Sequence, residues 1–326
     1  MKVVVTGATG FIAQHCIQEL LSHRYTVVGT VRNIQRARQS CPVLQTLDLV
    51  EADLLDDSGW ADAFDGADAV LHTASPVIID GKEADLIGPA VKGTERVLRA
   101  AANAGVKRIV LTSSTAAIVN TDAEVYTEEN WSEPERCSPY PKSKTLAERA
   151  AWQLIESLPE DTRPELVVCN PCVVLGPPLS AQVSSSVSII QKLMNRRIPA
   201  MPNIGFSIVD VRDIAIAHRL ALETPEAAGN RYLLSTEFYW LRDIAAELRK
   251  SFADQGIRPT RLKIPDLLIR FAARVHPFAR TLADDLGQRS KHDTRKAREQ
   301  LGWTPRPIKE TIIATGQALI DQKLLD

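Results

Sequence analysis

The chain has 326 residues, 44% of them hydrophobic, enough to bury a large core in one domain or in two coupled ones. Its 39 basic and 40 acidic residues nearly balance and its pI is near 6.6, so nothing in the bulk charge asks for nucleic acid as a partner. Cys16, Cys41, Cys137, Cys169 and Cys172 form an odd, irregularly spaced set, which argues against a disulfide framework and for a reducing compartment. Cys169 and Cys172 make a lone C-x-x-C with no second pair and no helix N-terminus beside it, so neither metal nor redox chemistry is expected there. After Lys2 only three valines precede Thr6-Gly7, too few for the apolar core of a signal peptide, and no run reaches the ~18 apolar residues of a membrane span. These features predict a soluble, cytoplasmic protein with no membrane partner.

In chain order, short β-branched runs alternate with helical spacing. Strands are predicted at Val3–Val5, Tyr25–Val31, Leu44–Val50, Ala67–His72, Lys107–Thr112 and Leu166–Asn170. Helices are predicted at Phe11–Leu21, Glu83–Ala104 and Tyr140–Ser157. This alternation implies right-handed βαβ units and an α/β fold with a doubly wound, mostly parallel sheet of the Rossmann kind. After Pro171 the texture changes: Pro177, Pro178, Pro199 and Pro202 bracket a Ser-rich stretch and a helix at Val187–Arg197. Further strands are expected at Phe206–Val209 and Arg231–Ser235, and helices at Val211–Leu222, Leu241–Ala253, Pro265–Val275, Asp293–Leu301 and Ile308–Gln322. We therefore expect a dinucleotide-binding domain over 1–175, with sheet additions from about 206–235. A smaller, mainly substrate-binding lobe is expected over 176–326, at the sheet edge where open α/β folds bind ligands.

The first loop reads Thr6-Gly7-Ala8-Thr9-Gly10-Phe11-Ile12-Ala13 between a strand and a helix. Gly7 permits the tight turn, Gly10 lets backbone approach a pyrophosphate, and Ala13 lets the helix pack on the strand. Around Thr9, Phe11 and Ile12 the helix N-terminus offers free N–H groups and a positive dipole end. The second strand ends Thr30-Val31-Arg32-Asn33, where an acidic residue would hold the ribose hydroxyls of NAD. Arg32 stands there instead, with Arg36 and Arg38 behind it. A guanidinium pairs with a 2′-phosphate through charge-assisted hydrogen bonds, which selects NADP(H); the plainer reading is a solvated surface arginine. Asp53 and Leu54 follow the third strand, beside the adenine in a sheet of this order, although an Asp there is also an ordinary cap. Thr73, Ala74 and Ser75 follow the fourth strand, small enough for backbone to pass close to the cofactor, and His72 reads as structural.

Tyr140 and Lys144 are four residues apart, on one face of a helix whose first turn suits Pro141. A lysine ammonium close to the phenol is expected to lower its pKa from the usual ~10, making Tyr140 a general acid for carbonyl reduction or a base for alcohol oxidation. Lys144 can also hold the cofactor ribose. Thr112-Ser113-Ser114 end the fifth strand at the same sheet edge, where Ser114 can polarise a substrate oxygen; the plainer role, filling loop hydrogen bonds, suits Ser113.

Together TGATGFIA, the ADL at Ala52–Leu54, HTASP, TSS, YPKSK, Asn170-Pro171, VDVRDIA at Val209–Ala215 and DTRKAREQLGW at Asp293–Trp303 resemble the extended short-chain dehydrogenase/reductase family. The TVRN and YPKSKTLAERAAW segments look most like its dihydroflavonol 4-reductase, cinnamoyl-CoA reductase and aldehyde reductase branch. The resemblance implies a Ser114–Tyr140–Lys144 triad and hydride delivery from NADP(H) to a carbonyl carbon. It further implies cofactor contacts from Tyr140, Lys144, Pro171, Val173, Val174 and Ser186. The family's third motif glycine is Ala13 here, and Pro177-Pro178-Leu179-Ser180 follows Gly176 without an arginine. Nucleotide-sugar relatives carry basic residues in this lobe, so an epimerase or dehydratase is the less favoured alternative, with a hydroxysteroid dehydrogenase beside it and a non-catalytic NADP sensor more remote. Thr115-Ala116-Ala117-Ile118 suits a small or aromatic carbonyl substrate. By fold analogy its pocket includes Pro76–Ile79, Thr115, Cys172 and Gln182–Met201, in a monomer or homodimer.

Overall fold

Val3, Val4 and Val5 are fully buried because β1 (Lys2–Thr6) runs through the middle of a parallel sheet with both faces covered. The computed structural model describes residues 1–75 and 83–325. After β1 come α1 (Phe11–Ser22), β2 (Thr26–Val31), α2 (Ile34–Ser40), β3 (Asp48–Glu51), α3 (Trp60–Phe64) and β4 (Ala69–His72). Next are α4 (Glu83–Asn103), β5 (Arg108–Thr112), α5 (Pro139–Ser157), β6 (Glu165–Pro171), β7 (Val173–Leu175), α6 (Val187–Met194) and β8 (Gly205–Asp210). The remainder is α7 (Val211–Glu223), β9 (Arg231–Leu234), β10 (Glu237–Trp240), α8 (Leu241–Phe252), α9 (Asp266–Ala272), α10 (Pro277–Asp285), α11 (Arg295–Leu301) and α12 (Ile308–Asp321).

Two units emerge, each assembled from three stretches of chain. The first comprises Met1–Pro171, Arg212–Leu234 and His292–Thr304; the second comprises Cys172–Val211, Ser235–Lys291 and Pro305–Asp326. The first holds a seven-stranded parallel sheet in the order β3-β2-β1-β4-β5-β6-β9. The strand order reverses between β1 and β4, the place where doubly wound sheets leave a crevice beyond their carboxyl ends. Trp60 and Phe64, stacked at 5.8 Å, anchor a core with Val70, Val97, Leu98, Ile109 and Leu154. Gly29 lies in β2 beneath the first loop. A Cβ there would meet Ala8 Cβ at 2.8 Å and Leu49 Cδ2 at 2.9 Å. Gly29→Ala should therefore cost about 1–3 kcal/mol through overpacking, seen as a lower urea midpoint.

Several boundaries differ from the sequence reading. The strand expected at Leu44–Val50 begins only at Asp48, because Pro42–Leu44 winds into a 3₁₀ turn with Pro42 leading it. The helix expected to reach Arg197 stops at Met194, and Arg196 turns left-handed with φ 55°. The helix expected over Pro265–Val275 spans only Asp266–Ala272, and Pro277 opens a further helix, α10, that the sequence did not indicate. The sheet additions expected from about 206–235 divide. β9 joins the large sheet, whereas β8 pairs antiparallel with β10 and parallel with β7 in a separate three-stranded sheet of the second unit. The Phe238 ring of β10 packs against Gly205 where a side chain would stand, which favours this pairing.

Candidate active site

The loop between β1 and α1 is built to leave donors free. Gly7 has φ 65°, and a Cβ on it would press to 3.0 Å from Ala74, so only glycine lets the loops after β1 and β4 meet this closely. Gly10 occupies the N-cap of α1 with no side chain to satisfy the first-turn N–H groups, and no acidic residue stands in that turn. Thr9 and the leading residues of the helix, Phe11 and Ile12, are partly exposed around it, and Ala13 is buried. The Thr9 carbonyl accepts from Gln14 Nε2 at 2.9 Å. Hydroxyls sew the loop in place. Thr30 Oγ1 accepts from Gly7 N at 3.2 Å, Thr6 Oγ1 accepts from Ala74 N at 3.1 Å, and Thr73 Oγ1 donates to the Thr6 carbonyl at 2.5 Å. Thr6 Oγ1 also lies 2.8 Å from His72 Nδ1. Burial pushes His72 down to about 3, so this imidazole stays neutral and structural.

Arg32 is exposed just past β2, with no ion pair among the described residues. Asn33 caps α2 by accepting from Arg36 N at 2.8 Å, fixing the turn that presents Arg32. Sequence reading missed an acidic group at this point. Glu51, opposite Val31 in the neighbouring strand, accepts from Ile34 N at 2.9 Å through Oε1. Asp53 is half-buried and caps its own turn, with Oδ1 accepting from Leu55 N at 2.8 Å. Leu54 packs along the core beneath Gly93, and its carbonyl accepts from Arg96.

Ser114, Tyr140 and Lys144 belong to the first unit, on the end of β5 and the first two turns of α5. Ser114 caps a 3₁₀ turn over Thr115–Ala117, its hydroxyl accepting from Ala116 N at 3.1 Å. Pro139 occupies the first turn of α5, ahead of Tyr140. Lys144 is buried and donates to Ser75 Oγ at 3.0 Å, which ties α5 to the loop after β4. Its Nζ lies 6.0 Å from the Tyr140 ring centroid. Burial lowers Lys144 to about 8, against the pull of Glu148. Tyr140 departs from expectation. Burial raises its pKa, and a hydrogen bond with Ser114, not the lysine charge, opposes that rise. The phenol is thus held protonated at neutral pH.

Behind these groups lies a buried network that the sequence did not disclose. Glu148 Oε2 accepts from Ser113 Oγ at 2.5 Å and Asn170 Nδ2 at 2.8 Å, and Oε1 accepts from Arg231 Nε at 2.6 Å. Only the i, i+4 spacing of Lys144 and Glu148 could have hinted at it. Pro171 ends β6 beside Asn170. Val173 and Val174 form β7 in the second unit, where Ser186 Oγ donates to the Val174 carbonyl at 2.6 Å. Of the suggested pocket residues, Thr115 is buried in the first unit, Cys172 is half-buried in the second, and Pro76–Ile79 lie outside the described residues.

The chain is similar to known proteins over most of its length. Residues 4–252 match the 3-beta hydroxysteroid dehydrogenase/isomerase family. Cinnamoyl-CoA reductase 1 of Petunia hybrida is 38% identical over 94% of this chain and 95% of its own. The NADPH-dependent methylglyoxal reductase of Saccharomyces cerevisiae is 30% identical over 98% of both chains. The crystal structure of the yeast methylglyoxal/isovaleraldehyde reductase complexed with NADPH superposes with a TM-score of 0.80 at 27% identity, covering 99% of each chain. The Candida albicans counterpart with NADPH gives 0.79 at 28% identity, over 98% of this chain and 99% of that one.

Proposed function

The chain belongs to the 3-beta hydroxysteroid dehydrogenase/isomerase family of extended short-chain dehydrogenases/reductases, and from that premise we propose that it is an NADP(H)-dependent reductase. Its substrate is the carbonyl of a small or aromatic aldehyde or ketone, reduced to the alcohol. The observation that carries this reading is the convergence of Ser114, Tyr140 and Lys144 beside a glycine turn whose helix N-terminus is uncapped.

The residues fit the cofactor. The tight turn at Gly7 and Gly10 and the free N–H groups at Thr9, Phe11 and Ile12 suit a pyrophosphate. Arg32 supplies a cation for the 2′-phosphate, Asp53 Oδ2 an acceptor near the adenine, and Leu54, Thr73, Ala74, Ser75 and Pro171 complete the lining. Bound NADPH supplies the hydride. The protein's own work is to polarise the carbonyl oxygen by hydrogen bonds from the Ser114 and Tyr140 hydroxyls and to deliver the Tyr140 proton to that oxygen. Lys144 stabilises the phenolate left behind and, as an ammonium, also suits the cofactor ribose.

Among the described residues no helix is long and apolar enough to cross a membrane. The five cysteines are unpaired, in keeping with a reducing compartment. Incubation with NADPH and a panel running from methylglyoxal through aromatic aldehydes to cinnamoyl thioesters tests the proposal. Net loss of NADPH absorbance with at least one carbonyl is expected. Turnover of a nucleotide sugar with no net NADPH consumption would instead assign an epimerase.

A further inference from the structure

We infer that Glu148 is a positioning residue of this active site, holding Lys144 charged and Ser114 in place from behind. The inference rests on the proposed Ser114–Tyr140–Lys144 chemistry. Tyr140, Lys144 and Glu148 fall at successive i, i+4 steps on α5 and so form one stripe along the helix. The Glu148 side chain has no exposed surface, and Arg231 is nearly as buried. A carboxylate in such a place stabilises a fold poorly by itself, because desolvation offsets the attraction to its partner. Its connections point to another role. Through Ser113 it grips the end of β5 one residue before Ser114. Through Asn170 it grips the end of β6, and the same Asn170 amide donates to the Ser114 carbonyl at 3.2 Å. Through Arg231 it reaches the 128–131 loop, since Nη1 donates to the Glu128 and Asn130 carbonyls at 2.6 and 2.8 Å and the guanidinium stacks 3.8 Å from the Trp131 ring centroid. One buried carboxylate thus ties two strand ends and the 128–131 loop together around the serine.

The same charge acts on Lys144. Among the described residues, the groups facing that ammonium are Ser75 after β4, Tyr140 and Glu148 on α5, and His72 at the end of β4. Ser75 carries no charge, and His72 and Tyr140 are neutral near pH 7. Glu148 is therefore the anion among them, and it opposes the burial that favours a neutral lysine. Lys144 is cationic below its pKa and neutral above it, so activity that needs the cation falls as pH rises through about 8. Removing the Glu148 charge lowers that pKa and moves the alkaline limb to lower pH.

The test is the pH profile of kcat with NADPH and a reduced carbonyl for wild type, Glu148→Gln, Lys144→Met and the double variant Glu148→Gln/Arg231→Gln. In Glu148→Gln the alkaline limb should move down by about one pH unit and kcat at pH 8 should fall about fivefold. The double variant leaves no unpaired buried arginine and, should the single variant fail to fold, carries the same expected shift. A limb present in wild type, abolished in Lys144→Met and unmoved in a folded Glu148 variant overturns the inference while leaving the triad intact. A wild-type limb that persists in Lys144→Met overturns the assignment of Lys144 itself, and with it both readings.

Discussion

Tyr140→Phe is expected to lower kcat for carbonyl reduction by about 100- to 10,000-fold, the range a positioned proton donor contributes. The substitution removes one hydroxyl and keeps the ring, so the packing at the start of α5 survives. What is lost is the proton that the proposed chemistry transfers to the developing alkoxide. Burial holds that proton on the phenol at neutral pH, and the hydrogen bond with Ser114 opposes the rise that burial causes. NADPH affinity should stay within about twofold, because the proposed phosphate site is the β1–α1 loop and not the phenol. Steady-state rates with the best carbonyl, together with NADPH titration by fluorescence, separate the two effects. Turnover within about threefold of wild type would assign the proton to another group.

Arg32→Ala should weaken NADPH binding about 10- to 100-fold and leave NADH binding unchanged. A hydrogen bond to a charged group contributes roughly 1.5–3 kcal/mol, and each 1.4 kcal/mol is tenfold in affinity. The selectivity follows because the two cofactors differ only in the 2′-phosphate. Arg32 is exposed and unpaired among the described residues, so removing it breaks no internal contact that the structure shows. Glu51 sits on the adjoining strand but spends Oε1 on Ile34 N at 2.9 Å. Fluorescence titration of both cofactors against both proteins gives the result directly. Equal loss for NADH and NADPH, or a wild-type preference for NADH, would remove Arg32 from the phosphate site.

The strands that carry the cofactor loop were readable because each is a run of β-branched residues buried on both faces. Val3–Val5 and Val27–Val28 could hardly be anything else. β7 and β10 were not readable. β7 has three residues directly after Pro171-Cys172, and β10 is a half-buried Glu-Phe-Tyr-Trp run whose partner, β8, is specified by a missing side chain at Gly205. No periodicity encodes such a fit. Nor did the sequence reveal α2 and α3, which are only seven and five residues long. The site divided in the same way. Tyr140 and Lys144 announce themselves by helical spacing within one segment. Glu148 looks like any glutamate in a charged helix, because its partners Ser113, Asn170 and Arg231 lie 35, 22 and 83 residues away along the chain. The direction of the tyrosine shift was misjudged for a related reason. A nearby lysine is visible in sequence, whereas the desolvation that outweighs it exists only once the chain has folded.

Unit 1 closes late. Trp303 is almost wholly buried, and its indole nitrogen donates to the Asp213 carbonyl at 2.8 Å. Gln300 accepts from the Tyr232 hydroxyl at 3.0 Å, and Asp293 N donates to the Tyr126 carbonyl at 2.9 Å. All of these late residues dock onto the sheet-bearing unit after the chain has passed through the second one. A ribosome must therefore have released nearly the entire polypeptide before the edge around β9 is covered. Contacts of such long sequence separation form slowly, and the waiting edge is vulnerable to wrong partners meanwhile. For anyone producing this enzyme, cutting it into a cofactor half and a substrate half would leave neither half whole. Slower synthesis at lower temperature is the more promising route to soluble protein.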